Sequence, residues 1–344
     1  MILSEPKDIA FIHEENNHLT GGRYYSWLLI HALVELGHNV TVYTNRRSVF
    51  LKDLEMYQQP KVVISASSPR YLTKLNVKAD VYFGSPIQGA VAALKLGEKY
   101  TKPAFALIFD PFPAMKKYLG QRAYTGWDDL LALLRRTGYV ISLCDSMTDF
   151  MPEWLQRNRN TIFNIYPCIN SKVLNMRERK YDREEYVVFI SRLVRNKRFE
   201  DVLSACRRAR VKLKVISSVA AVPVQNLVNH AEMRGQVEFR LRASDDEKFD
   251  IITKSSGVIS ASIFEGFGMF LAEAISTGTP AVLYDYPTFR EQIELSGADN
   301  IYLAHYQNAN DLTRQLKLCL KEKKFREPND TFSFENMKQR LSQL

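Results

Sequence analysis

The sequence predicts an α/β protein built from two doubly wound parallel-sheet domains in tandem, facing each other across a cleft. Three observations carry this. The chain has 344 residues, more than one hydrophobic core usually organises. Apolar runs of strand length alternate with helical periodicity from start to finish, the pattern of parallel strands joined by helical crossovers. That alternation also breaks once, near the middle, and then restarts.

In the first half, Asp8 to His13 reads as a strand, Arg23 to Leu36 as a helix closed by Gly37, and Asn39 to Thr44 as a second strand. Further strands are expected at Val62 to Ser65, Val81 to Phe83, Ala104 to Phe109 and Val140 to Leu143. The break falls at Pro167 to Arg183, where Arg177, Arg179, Lys180, Asp182 and Arg183 crowd together, and the interdomain linker is expected there. Strands then resume at Tyr186 to Ile190, Leu213 to Ser217, Val237 to Arg240, Gly257 to Ser260 and Ala281 to Tyr284. Residues 1–170 would form the first domain and 171–329 the second. Open sheets of this kind bind ligands at the carboxyl ends of their strands, so the expected site lies between the domains.

Composition narrows the class. With 46% hydrophobic and 25% charged residues the chain is an ordinary globular protein. The net charge is +9, but the basic residues are scattered, so no stripe marks a nucleic-acid groove. An attraction to phosphorylated donors or anionic surfaces fits equally, and charge alone does not choose. Cys144, Cys168, Cys206 and Cys319 lie far apart, with no C-x-x-C pair and no histidine at zinc spacing. Reduced thiols in a cytoplasmic setting are expected. No apolar stretch approaches the roughly 18 residues of a membrane span.

The densest chemistry lies in Phe264-Glu265-Gly266-Phe267-Gly268-Met269-Phe270-Leu271-Ala272-Glu273, two glutamates with seven residues between them at a strand-to-helix junction. Gly266 and Gly268 permit close approach of a ligand where free N–H groups begin a helix, which suits phosphate. Glu273 sits in a helix that is apolar nearly all round, where a carboxylate is costly unless hydroxyls, amides or a cation satisfy it. Sugar or ribose hydroxyls would do so. An ion pair within the fold is the competing structural explanation.

A second segment, Ser191-Arg192-Leu193-Val194-Arg195-Asn196-Lys197-Arg198, follows the first strand of the second half. Arg192 and Lys197 are expected to stabilise a diphosphate leaving group as it gathers charge. A solvated basic turn accounts for Arg195 and Arg198. No D-x-D pair occurs in the chain, which weakens a mechanism resting on a divalent ion, and no metal or cofactor is expected. Thr20-Gly21-Gly22, between the first strand and helix, occupies a usual position for a ligand-approach loop. There is no G-x-G-x-x-G and no G-x-x-x-x-G-K-[ST], which argues against dinucleotide oxidoreductases and P-loop phosphotransferases.

At these residues the chain resembles the family-4 retaining glycosyltransferases of GT-B fold. Glu265 to Glu273, with Ser276-Thr277-Gly278-Thr279-Pro280-Ala281-Val282 and Phe289-Arg290-Glu291, is similar to that family's donor-site signature. Gly21-Gly22 with Ala32 to Val42 is similar to its opening unit. The resemblance implies a nucleotide-sugar donor, UDP-sugar or GDP-sugar, and a glycan, lipid-linked or small-molecule acceptor. It implies that Glu273 holds the ribose and that Arg192 and Lys197 hold the diphosphate. Glu265 and the backbone of Gly266, Phe267, Gly268 and Met269 would face the sugar and phosphates, with Gly21 and Gly22 completing the donor site. Arg192, Lys197 and Glu265 are the expected catalytic residues, acting with retention of configuration and without a protein nucleophile.

Phe332 to Met337 resembles the family's last helix, so residues 330–344 are expected to pack back on the first domain. Three departures stand out. Phe109-Asp110-Pro111 occupies the place of a sugar-facing histidine, Ser217-Ser218-Val219 that of a glycine-rich turn, and Cys168 that of a small glycine at the crossing. Met115 to Leu119 mixes basic and apolar residues and suits peripheral contact with the inner face of a membrane, although an exposed helix face explains it too. Two rival functions fit the fold. A phosphorylase or nucleotide-sugar epimerase would cleave or epimerise the donor without acceptor, and a non-catalytic partner of an active transferase would bind donor without turnover.

Overall fold

The computed structural model describes residues 2–16, 20–65, 69–110, 126–170, 183–218, 226, 228–229 and 232–344. The chain divides into two compact units, Met1–Asn170 with Ser333–Leu344, and Ser171–Phe332.

The first unit holds a seven-stranded parallel sheet. Its strands are β1 (Asp8–His13), β2 (Asn39–Thr44), β3 (Lys61–Ile64), β4 (Val81–Ser85), β5 (Ala104–Ile108), β6 (Tyr139–Ser142) and β7 (Ile162–Asn164), in the order β3-β2-β1-β4-β5-β6-β7. The order reverses between β1 and β4, so the switch point lies beside the carboxyl ends of those strands. One register aligns Phe11 with Phe83, Phe83 with Phe105, and Phe105 with Tyr139. Their rings stack across four strands at 5.9, 4.7 and 5.1 Å. This aromatic ladder covers one face of the sheet and fixes its register, because a one-residue slip would turn every ring to the other face.

Helix α1 (Gly21–Glu35) is buried continuously from Tyr25 to Leu33 and ends at Gly37, whose φ of +89° suits glycine. Helices α2 (Ile87–Tyr100) and α3 (Trp127–Leu134) follow. The C-terminal helix Phe334–Leu341 is capped by Ser333 and packs in this unit, with Lys338 Nζ 3.0 Å from Glu35 and Phe334 4.2 Å from the Tyr57 ring.

The second unit holds a six-stranded parallel sheet of β8 (Tyr186–Ile190), β9 (Lys212–Ser217), β10 (Val237–Leu241), β11 (Gly257–Ser260), β12 (Ala281–Tyr284) and β13 (Ile301–Ala304), in the order β10-β9-β8-β11-β12-β13. Its switch point falls between β8 and β11. Helices α4 (Phe199–Ala209), α5 (Asp245–Lys254), α6 (Met269–Ser276), α7 (Pro287–Ser296) and α8 (Ala309–Glu322) connect the strands. A buried network ties α4 to β12: Tyr284 donates to Asp201 at 2.7 Å, and Arg198 Nε reaches the same carboxylate oxygen at 2.9 Å.

The expected strands are all present. Two more, Ile162–Asn164 and Ile301–Ala304, add an edge to each sheet. The linker expectation needs correction at its end. Arg183 is half-buried in the second unit, where it donates to Thr279 at 3.2 Å and lies 4.1 Å over the Phe325 ring, while residues 171–182 lie outside the described residues. So does the Met115 to Leu119 segment. The four cysteines are buried and none forms a disulfide.

Candidate functional site

The second unit brings its expected residues to the switch point through two loops. After β8 the chain passes Ser191 and an exposed Arg192, then makes a tight turn, Arg195–Lys197, that carries Lys197 inward. After β11 the chain runs from Ala261 to Gly268 before α6 begins. The loops are joined where Ile263 N donates to Asn196 O at 3.0 Å, and Tyr306 holds the Ile263 carbonyl from the other side at 2.6 Å. Between them Lys197 Nζ bonds Glu265 Oε1 at 2.5 Å, and Ser262 donates to the same oxygen at 2.8 Å. The pair is nearly sealed, at 9% and 14% side-chain exposure, so each charge depends on the other.

The glycines act as the sequence suggests at one position above all. Gly268 has φ +89°, and a Cβ there would lie 2.6 Å from the Phe289 ring. Gly268 caps α6 without a side chain, whereas α5 and α8 are capped by Ser244 and Asn308. The first N–H groups of α6 therefore begin next to Glu265, Gly266 and Phe267, in the arrangement that favours an anion. Gln292 holds the Phe267 carbonyl at 2.5 Å and fixes this turn from α7. Met269, the first residue of α6, is half-buried.

Glu273 lies one turn further into α6, 5% exposed. An internal cation meets it: Lys248 Nζ of α5 is 2.7 Å from Glu273 Oε1 and 2.9 Å from Asp245 Oδ1. Glu273 Oε2 is buried with no hydrogen-bond partner. Burial pushes the Glu273 carboxyl above the ordinary glutamate range, and the Lys248 charge and bond offset only part of that. Lys248 is pushed upward by its two carboxylates, which outweigh its own burial. Sequence reasoning missed Lys248. Its spacing of three from Asp245 on a helix was the visible signal, while its approach to α6 is a tertiary fact.

In the first unit, Gly21 and Gly22 open α1, and a Cβ on Gly22 would lie 2.8 Å from the Phe109 ring. Phe109 also meets Tyr25 edge to face at 6.1 Å. Beneath this turn runs a polar chain that the sequence did not suggest. His13 Nδ1 and Ser85 Oγ are 2.8 Å apart, Ser85 donates to Ser26 at 2.9 Å, and Ser26 donates to the Gly22 carbonyl at 3.0 Å. Glu15 lies 3.4 Å from His13 Nε2 and accepts from the Trp27 indole at 3.0 Å. Burial pushes the Glu15 carboxyl up, but bonds from His13, Trp27 and Ser48 outweigh it and leave the group below the usual carboxylate range. Among the described residues no cluster of three histidine, cysteine, aspartate or glutamate side chains is arranged to hold a metal ion, and no helix is long and apolar enough to cross a membrane.

Two parallel-sheet α/β units in one chain, with charged loops at a switch point, have the GT-B architecture of glycosyltransferases, and solved structures share it over nearly the whole chain. HepE of Anabaena in complex with UDP superposes with a TM-score of 0.74 at 13% identity over 98% of both chains. The same protein in complex with UDP-glucose gives 0.72 at 14% over 97% of this chain and 98% of that one. Sucrose-phosphate synthase of Thermosynechococcus elongatus gives 0.76 at 15% over 97% of both. Residues 172–330, nearly all of the second unit, match the family described as Glycosyl transferases group 1. No curated protein matches the chain.

Proposed function

We propose that this chain is a retaining glycosyltransferase that moves a sugar from a nucleotide diphosphate to a saccharide, lipid-linked or small-molecule acceptor without a metal ion. One observation carries the reading: fixed positive charge, an anion-favouring helix start and a buried carboxylate with one unsatisfied oxygen converge at the switch point of the second unit. In this reading the donor pyrophosphate meets Lys197, Arg192 and the first N–H groups of α6, while the Glu273 carboxylate accepts a ribose hydroxyl. Binding of UDP and UDP-glucose by HepE favours uridine over guanosine as the base.

The glycosidic C1–O bond to the diphosphate breaks as the acceptor oxygen approaches the same face. The acceptor's proton passes to a phosphate oxygen of the leaving group. Charge grows on the departing diphosphate, and Lys197 and Arg192 are the cations that would stabilise it. Glu265 keeps Lys197 oriented and faces the sugar. We place the enzyme in the cytoplasm, touching a membrane only where its acceptor is lipid-linked.

The test is isothermal calorimetry with UDP and GDP, then transfer assays with and without chelator. UDP should bind, chelator should leave transfer intact, and Arg192→Ala should lower transfer by about 100-fold. Unchanged kinetics in Arg192→Ala, Lys197→Ala and Glu273→Ala together would overturn the assignment.

A further inference from the structure

Glu273 is the buried carboxylate of the donor site, and its two oxygens are treated differently. Oε1 is bound by Lys248 at 2.7 Å, and Oε2 is sealed from solvent without a partner. Lys248 is in turn held by Asp245 at 2.9 Å, from the first turn of its own helix. Side-chain exposures along this line fall from 19% at Asp245 through 16% at Lys248 to 7% at Glu273. A glutamate in an apolar helix has several rotamers open to it and a strong drive to take up a proton. A cation anchored from a second helix removes both freedoms. It selects the rotamer whose Oε1 faces α5, leaves Oε2 pointing elsewhere, and favours the ionised form that accepts hydrogen bonds only.

We infer that Lys248, braced by Asp245, is a positioning residue that holds Glu273 ionised and turned so that its carboxylate selects the donor's ribose hydroxyls. This rests on the donor-site reading above and adds to it a specificity device. Lys248 touches no substrate in this scheme. It acts through Glu273 and sets how strongly the site distinguishes a ribonucleotide from one lacking its hydroxyls.

Burial raises the Glu273 carboxyl, and Lys248 holds it down. Without the lysine cation the carboxyl rises further, so hydroxyl selection fails at a higher pH as the solution is acidified.

The experiment measures binding of UDP and of 2′,3′-dideoxy-UDP to the full chain by calorimetry. Wild type is expected to prefer UDP by about 10-fold or more, since the bond lost is to a charged group. Lys248→Met should reduce that preference to below about 3-fold, a loss set by the same bond. Lys248→Arg should retain most of it. The preference of Lys248→Met should also vanish on acidification at a higher pH than that of wild type. Because removing a buried cation strands Glu273 and can unfold the unit, the neutral pair Lys248→Met with Glu273→Gln is compared with Glu273→Gln alone. Equal preferences in those two proteins are expected if the lysine acts only through the glutamate. A Lys248→Met protein that keeps the wild-type preference, or a double variant that differs from Glu273→Gln, overturns the inference and leaves the donor site standing. Failure of wild type to bind UDP overturns the donor-site reading itself, and this inference with it.

Discussion

Replacing Lys197 by alanine separates the stability and the chemistry of the second unit. Lys197 and Glu265 are 9% and 14% exposed and bonded to each other, so the substitution leaves a nearly sealed carboxylate without its cation. Breaking a fully buried pair costs about 3–5 kcal/mol. Here Ser262 keeps its bond to Glu265 at 2.8 Å and some solvent reaches the group, which lowers the expected cost to about 2–3 kcal/mol. For a unit of this size that is a melting decrease of about 4–12 °C, read by differential scanning calorimetry. Transfer should fall by about 100- to 1000-fold, the usual cost of removing one preorganised charge stabiliser. The double variant Lys197→Ala with Glu265→Gln carries no stranded charge. It should recover most of the lost stability while its initial transfer rate stays low. Recovery of the rate in the double variant would show that Lys197 merely balances Glu265. A normal rate in Lys197→Ala alone would remove it from the diphosphate site.

Other outcomes follow from the same geometry. Gly268→Ala forces a left-handed residue to carry a Cβ 2.6 Å from Phe289; it should cost at least about 1–2 kcal/mol and weaken UDP binding in calorimetry. Tyr284→Phe deletes the 2.7 Å bond to Asp201 and should cost about 1.5–3 kcal/mol in denaturant titrations without altering UDP affinity. Glu273 has a raised carboxyl pKa, so its contribution to folding is fully present below the unfolded value and is lost as pH rises through the folded one. The melting difference between wild type and Glu273→Gln should accordingly shift against wild type over that rise, and a flat difference would contradict it.

The central strands β1, β4, β5, β8, β11 and β12 were legible because they are buried almost throughout and read as continuous apolar runs. The strands that escaped notice are the edge strands Ile162–Asn164 and Ile301–Ala304, neither of which is buried continuously. Arg183 read as linker because it ends a charged run, yet its guanidinium packs on Phe325 and Thr279. In the site, the two glutamates and the glycines announced themselves by spacing. Their partners did not: Lys197 and Glu265 are 68 positions apart, and Lys248 is 25 positions from Glu273. Local pattern names the groups that need compensation, whereas only the folded chain names what compensates them.

The distribution of the buried thiols gives the protein a built-in readout. Cys144 and Cys168 belong to the first unit, Cys206 and Cys319 to the second, and all are sealed from solvent. Burial pushes the Cys319 thiol up to about 12 and raises those of Cys168 and Cys206 as well. A reagent that attacks thiolates must therefore wait for local opening. Timed alkylation followed by peptide mass spectrometry then yields a separate opening rate for each unit from one untagged sample, with donor present or withheld.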